Sequence, residues 1–213
     1  MSKQTDAAYQ YIKQRILEGS YKPAQKLNES ELSEAIGVSR NTVKKALLSL
    51  QQENLVEIED NKGASVKSYT LEEVKNYLEI REVLEGLVAR KAAGNISDED
   101  LNEMEQILER MYLCIQENRL DEYSKSNQEF HKVIYMTSKN DEAVEMITII
   151  RTQLIRYHFR TILVPGRTQE SYKDHKRILE ALKARDGKLA EEAVRNHIAN
   201  VRNTIEKNYN YLI

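Results

Sequence analysis

At 213 residues, with 40% apolar and 31% charged side chains, the chain suits one large or two small domains of an ordinary soluble, mainly helical protein. Seven Gly and two Pro argue against a loop-rich or all-β fold, and a single Cys rules out an intrachain disulfide framework and suits the cytoplasm. The net charge of −2, split as about +1 up to Ser68 and about −3 beyond it, excludes a uniformly basic nucleic-acid binder. No run approaches the roughly 20 apolar residues of a membrane span. MSKQTDAAYQ holds no apolar signal core, so export is not expected.

In chain order, Ala7–Gly19 carries Ala8, Tyr9, Ile12, Ile16 and Leu17 at helical spacing, with Gly19 as a natural stop. Tyr21–Leu27 is a connector holding Pro23. In Glu29–Leu50 the apolar residues Leu32, Ala35, Ile36, Val38, Val43, Ala46, Leu47 and Leu50 fit two short amphipathic helices broken at Gly37. Ser39 is placed to cap the second. That helix leaves Arg40, Asn41, Thr42, Lys44 and Lys45 on its free faces, with no acid before Glu53. A solvated basic face is the common fate of such residues. A short helix, a turn with Gly and a basic second helix is also the helix-turn-helix pattern. Val56–Glu59 and Ala64–Lys67 are short strand candidates around the turn Asp60–Asn61–Lys62–Gly63, a hairpin signal. Residues 1–68 are therefore predicted to form a winged helix-turn-helix with Lys62 and Gly63 at the wing tip.

Residues 69–213 read as six helices in series. Thr70 and Glu73 form a capping box opening a helix to about Ala93, ended by Gly94. Ser97 caps the next, with Leu101, Met104, Ile107, Leu108, Met111 and Ile115 as its stripe. Leu120–Met136, Asp141–Leu163, Thr168–Ala184 and Gly187–Tyr211 follow. Short connections favour an antiparallel bundle. The fold class is thus mainly α.

All four histidines lie in this half. Asn127 and His131 are spaced i, i+4 and share one helix face. His175 and His197 each fall on the apolar side of a later helix. Three helices can therefore each bring a His to the bundle centre, where neutral imidazoles and one oxygen suit zinc, nickel or another borderline divalent ion. Three separately buried histidines, each bonded to a carbonyl or a Tyr, satisfy the same spacing.

The run ILEGSYKPAQKLNESELSEAIGVSRNTVKKALLSLQQENLVEIEDNKGASV resembles the DNA-binding domain of the GntR family of bacterial regulators. The likeness extends from about Tyr11 to Val66 and covers connector, turn, second helix and wing in register. It implies that Ser39, Arg40, Asn41, Thr42 and Lys44 face DNA, with Gly63 entering the minor groove. Ala24, Thr42, Lys44 and Lys45 stand where the family often has Gly, Pro, Arg and Glu, and Ser30 replaces a base-reading Arg of some members. Arg40 is suited to a guanine edge and Lys44 to phosphate.

YLEIREVLEGLVARKAA, NQEFHKVIY and SYKDHKRILEALKARDGKLAEEAVRNHI resemble the FCD ligand-binding domain of the family's FadR-type branch, over about Thr70 to Asn208. Six helices rather than seven lie closer to the VanR-like subgroup. The resemblance implies a metal held by one Asp and three His, in a cavity that takes a small carboxylate. His131, His175 and His197 match the His positions, Asn127 falls where Asp is usual, and Arg81 matches an arginine that reaches the cavity. Arg151, Arg156 and Tyr157 are further candidates for its lining, and His158 matches no ligand position.

Three functions follow as expectations. The first is a ligand-responsive regulator, commonly a repressor, that binds an inverted-repeat double-stranded operator as a homodimer under control of a small carboxylate effector. The second is a metal-dependent hydrolase built in the bundle, for which Glu129 and Asp174 adjoin the ligands without being evident general bases. The third is a regulator whose bundle serves dimerisation only.

Overall fold

In the computed structural model, residues 1–154 and 161–212 are described. They form two compact units, Met1–Thr70 and Leu71–Ile213.

The first unit opens with α1 (Lys3–Leu17), capped by Ser2, whose side chain accepts from the Thr5 amide at 3.2 Å. That cap starts the helix four residues before the apolar periodicity does, since Lys3–Asp6 adds little to the buried stripe. Next comes β1 (Lys26–Leu27), a strand inside the segment expected to be a plain connector. It pairs antiparallel with β3, and the sheet order is β1-β3-β2. Two residues are too few for a periodic signal, so only the partner strand makes this one visible.

α2 (Glu29–Ile36) is capped by Asn28 and closes on Gly37, whose φ of 75° is the left-handed turn expected there. Ser39 accepts from the Thr42 amide at 3.2 Å and caps α3 (Arg40–Gln52). β2 (Val56–Glu59) and β3 (Gly63–Val66) form the wing hairpin, in register from Glu59 opposite Gly63 to Val56 opposite Val66. Ile12, Ile16, Val43, Leu47, Leu50 and Val66 are buried together in one core.

The second unit holds six helices among the described residues. α4 (Leu71–Asn95) runs through Gly94 rather than ending there, because the Ile96 amide still bonds the Ala92 carbonyl at 2.9 Å. α5 (Asp98–Gln116) begins with a capping box in which Ser97 and Asp100 each bond the other's backbone amide. α6 (Leu120–Ser138) and α7 (Asp141–Gln153) follow. α7 closes at Leu154, whose amide reaches the Ile150 carbonyl, so the single helix expected up to Leu163 is not formed. Arg156, Tyr157 and His158 lie outside the described residues.

α8 (Arg167–Lys183) starts after Gly166 at φ 80°. α9 (Gly187–Leu212) starts at Asp186, whose Oδ1 accepts from the Lys188 and Leu189 amides at 2.9 and 3.0 Å. α4 is the central element, packed on α6, α7, α8 and α9. Its approach to α9 is so close at Gly86 that a Cβ there would lie 2.8 Å from Arg195 Cγ. Leu78, Met104, Ile107, Phe130, Ile134, Ile178, Leu182 and Ile198 fill the interior.

Replacing Ser97 by Ala removes one half of the capping box and should cost about 1 kcal/mol. Thermal denaturation followed by circular dichroism should show the midpoint falling by roughly 2–4 °C. An unchanged midpoint would mean that the cap contributes nothing.

Candidate metal centre and nucleic-acid interface

The first unit presents its basic residues at one helix start. Ser39, Arg40, Asn41 and Lys44 are exposed, and Thr42 is half-buried with its hydroxyl 2.8 Å from that of Ser39. Val43, Ala46, Leu47 and Leu50 take the opposite face into the core, which fixes the helix rotation. Arg40 and Lys44 enter no ion pair among the described residues, and the first turn of α3 has no acid. The positive end of the helix dipole and two unpaired cations therefore face solvent together, as a phosphate-facing helix end requires. At the wing tip Gly63 has φ 84°, and exposed Lys62 bonds Glu59 at 2.5 Å.

The second unit gathers charge and imidazole in its interior. α6, α8 and α9 bring His131, His175 and His197 to one point, each at most 4% exposed. Ring centroids are 4.7 to 5.3 Å apart, and one donor atom from each ring lies within 4.8 Å of the others. His175 Nδ1 is 2.6 Å from the Ser171 carbonyl, a contact that requires the proton on Nδ1. Its Nε2 then carries the lone pair, and that atom has no hydrogen-bond partner. His197 Nδ1 faces Asp174 Oδ2 at 3.4 Å. Asp174 is further held by Asn200 Nδ2 at 3.1 and 3.3 Å and by Arg167 at 3.8 Å.

Burial drives the electrostatics of the trio. It lowers the His131 pKa well below its ordinary value, with help from the neighbouring imidazoles and from Arg151 and Arg81. His175 is lowered to about 3 for the same first reason, and His197 is lowered too, against the pull of Asp174. All three are therefore neutral near pH 7, the form that ligates a metal. Asn127 is half-buried one turn before His131 on the same helix. Unpartnered buried nitrogens and short mutual distances fit a divalent ion. Three separately satisfied histidines do not describe this geometry, because His131 Nδ1 and His175 Nε2 are bonded to nothing.

Arg81 is only 3% exposed, so it does not reach out to water, and its Nε bonds the Glu85 carboxylate four residues on. A carboxylate arriving at Arg81 has to share or displace that bond. Arg151 gives Nη1 to the Tyr135 hydroxyl at 2.7 Å, and the Tyr135 ring lies 6.1 Å from that of His131. Burial pushes the Tyr135 hydroxyl up to about 12, so it stays a neutral donor and acceptor. Glu85 stays ionised although burial opposes it, because Arg81 and Arg151 outweigh that cost. The sequence reading missed Glu85, Tyr135, Arg167 and Asn200. Only Glu85 left a trace, as the i+4 partner of Arg81 inside an otherwise apolar helix.

Two family matches complete the description. Residues 4–66 match the bacterial regulatory proteins of the gntR family, and residues 76–200 match the FCD domain. The chain belongs to the GntR family of regulators and carries an FCD domain. It is 25% identical to the transcriptional repressor RspR of Escherichia coli, over 93% of this chain and 87% of that protein. It is 30% identical to the Uxu operon regulator of Haemophilus influenzae, over 91% of this chain and 78% of the relative. Among solved structures, E. coli McbR/YncC superposes with a TM-score of 0.72 at 24% identity, covering 100% of this chain and 98% of that one. Its curated relatives are named transcriptional regulators or repressors, and with its gntR and FCD domains this chain is a ligand-responsive DNA-binding regulator. Among the described residues no helix is long and apolar enough to cross a membrane.

The depressed imidazoles fix a pH dependence. A buried His with a lowered folded pKa binds its proton more readily once unfolded, where the ordinary value is 6.5. Stability is fully present above about pH 6.5 and is lost as pH falls towards 3. Metal-free protein should show a falling melting midpoint across that window, and replacing His175 by a neutral residue should make the fall shallower. A flat wild-type profile would show that the imidazoles are not buried uncharged.

Proposed function

We propose that the protein is a metal-dependent sensor of a small organic acid that controls operator binding as a homodimer, most simply as a repressor relieved by its effector. The convergence of three neutral imidazoles, two of them with an unpartnered buried nitrogen, carries this reading. Zinc or nickel suits three imidazole nitrogens and the side-chain oxygen of Asn127. A bound ion would supply a Lewis-acidic seat for the effector's carboxylate, while Arg81 and Arg151 add positive charge beside it. Because Asn127 gives no negative charge, none of the four side chains touching the ion would offset its charge directly.

On the DNA side, Arg40 would grip a guanine edge, Asn41 would reach a neighbouring base, and Lys44 would hold phosphate. Ser39 and Thr42 would bond the backbone near the start of α3, with Lys62 and Gly63 at the minor groove. A pair of such helices on a two-fold axis reads an inverted repeat, which is why a homodimer is inferred. The protein would work in the cytoplasm with its DNA.

A sensor accounts for the acids better than a hydrolase does. Asp174 is occupied by His197, Asn200 and Arg167, while Glu129 is exposed and paired with Arg110 at 2.6 Å. Neither is free to take a proton from water on the ion.

In vitro selection from random DNA with full-length protein should enrich inverted repeats, and Arg40→Ala should abolish their specific retardation. Lys44→Ala should weaken binding on all sequences alike. Absence of enrichment would overturn the DNA reading. Asn127→Asp should hold zinc more tightly through dialysis, and unchanged or lower metal content would remove Asn127 from the site. A thermal-shift screen of sugar acids and other small carboxylates on zinc-loaded protein should show at least one stabiliser; uniform silence would leave the bundle as a dimerisation module.

A further inference from the structure

Glu85 sits on α4 one turn after Arg81 and is 1% exposed. Its Oε1 takes the Arg81 Nε hydrogen bond. Its Oε2 has no hydrogen-bond partner and lies 3.5 Å from His131 Nδ1, which has none either. A buried carboxylate oxygen facing a buried ring nitrogen, both unbonded, is an unusual use of two polar atoms.

The other two imidazoles explain it by comparison. His175 gives its Nδ1 proton to the Ser171 carbonyl, and His197 turns Nδ1 to Asp174. Each is thereby set to offer Nε2 to the shared centre. Glu85 stands in the same relation to His131 as Asp174 does to His197, at 3.5 against 3.4 Å. A carboxylate at Nδ1 keeps the proton on that nitrogen, leaves Nε2 free for an ion and raises its basicity. It also supplies charge. Three neutral imidazoles and the Asn127 amide give none, so a divalent ion there finds its nearest negative charges at Glu85 and Asp174.

We propose that Glu85 is the positioning residue of His131, presenting its Nε2 to the metal and restoring the negative charge that Asn127 does not provide. Arg81, bonded to the same carboxylate, is then tied to the ion through Glu85 and His131. An anion that draws Arg81 away leaves Glu85 more negative at His131, so anion and metal strengthen each other's binding. This rests on the reading that the three histidines hold a divalent ion.

The test titrates full-length protein with Co2+ and follows its visible absorption. Glu85→Gln keeps an acceptor and loses the charge, so its affinity should fall less than that of a variant lacking both. Because Glu85→Met alone would leave Arg81 buried beside no carboxylate, the second variant is Arg81→Met with Glu85→Met. It should bind Co2+ about 10- to 100-fold more weakly than wild type. Nitrogen chemical shifts of 15N-histidine in zinc-loaded wild type should place the His131 proton on Nδ1 and the metal on Nε2. Wild-type affinity in the double variant, or metal on His131 Nδ1, would overturn the proposal while leaving the metal reading intact. Failure of wild type itself to take up Co2+ would overturn both.

Discussion

Three imidazoles withdrawn from water around a common point set the terms for the C-terminal unit. Each unbonded nitrogen buried there costs on the order of 1–3 kcal/mol unless something accepts or donates to it. The protein meets part of that demand with the Ser171 carbonyl and with Asp174, and it brings Arg81, Arg151 and Arg167 close enough to keep both buried carboxylates ionised. The unbonded nitrogens that remain are His131 Nδ1, beside Glu85, and His175 Nε2, while one donor atom from each of the three rings lies within 4.8 Å of the others. A divalent ion would satisfy that arrangement.

The rest of the bundle can be understood as what holds those rings still. α4 lies against four other helices and contributes no histidine, yet it carries the Arg81–Glu85 pair that faces His131. Phe130 packs edge-on against His175 with centroids 4.8 Å apart, so the residue beside one ligand braces another. In the proposed sensor, fixed rings matter because a small change at the ion must become a change of affinity elsewhere. A coupling of roughly 1–3 kcal/mol is enough to alter operator affinity 5- to 150-fold.

Much of this was legible in the sequence, for reasons that differ between the units. The winged unit announces itself locally: Gly37 at positive φ, Ser39 as cap and the turn around Lys62 are each short-range signals. The two-residue strand Lys26–Leu27 was not readable, because its existence depends on a partner about forty residues later. Helical spacing placed His131, His175 and His197 on inward faces correctly. It gave no means of seeing Glu85, Tyr135, Arg167 and Asn200, whose roles come from neighbours on other helices. The end of α7 at Gln153 was missed because apolar residues continue at helical spacing beyond it. Arg81 was expected to reach the cavity, and its bond to Glu85 one turn on depends on a neighbour that the expectation did not include.

The most direct test of the central claim is anomalous scattering from crystals of the zinc-loaded protein. A single strong peak at the zinc edge, roughly 2.0–2.1 Å from Nε2 of His131, His175 and His197, is the result this account predicts. No peak at that point, or a peak elsewhere in the bundle, would contradict it.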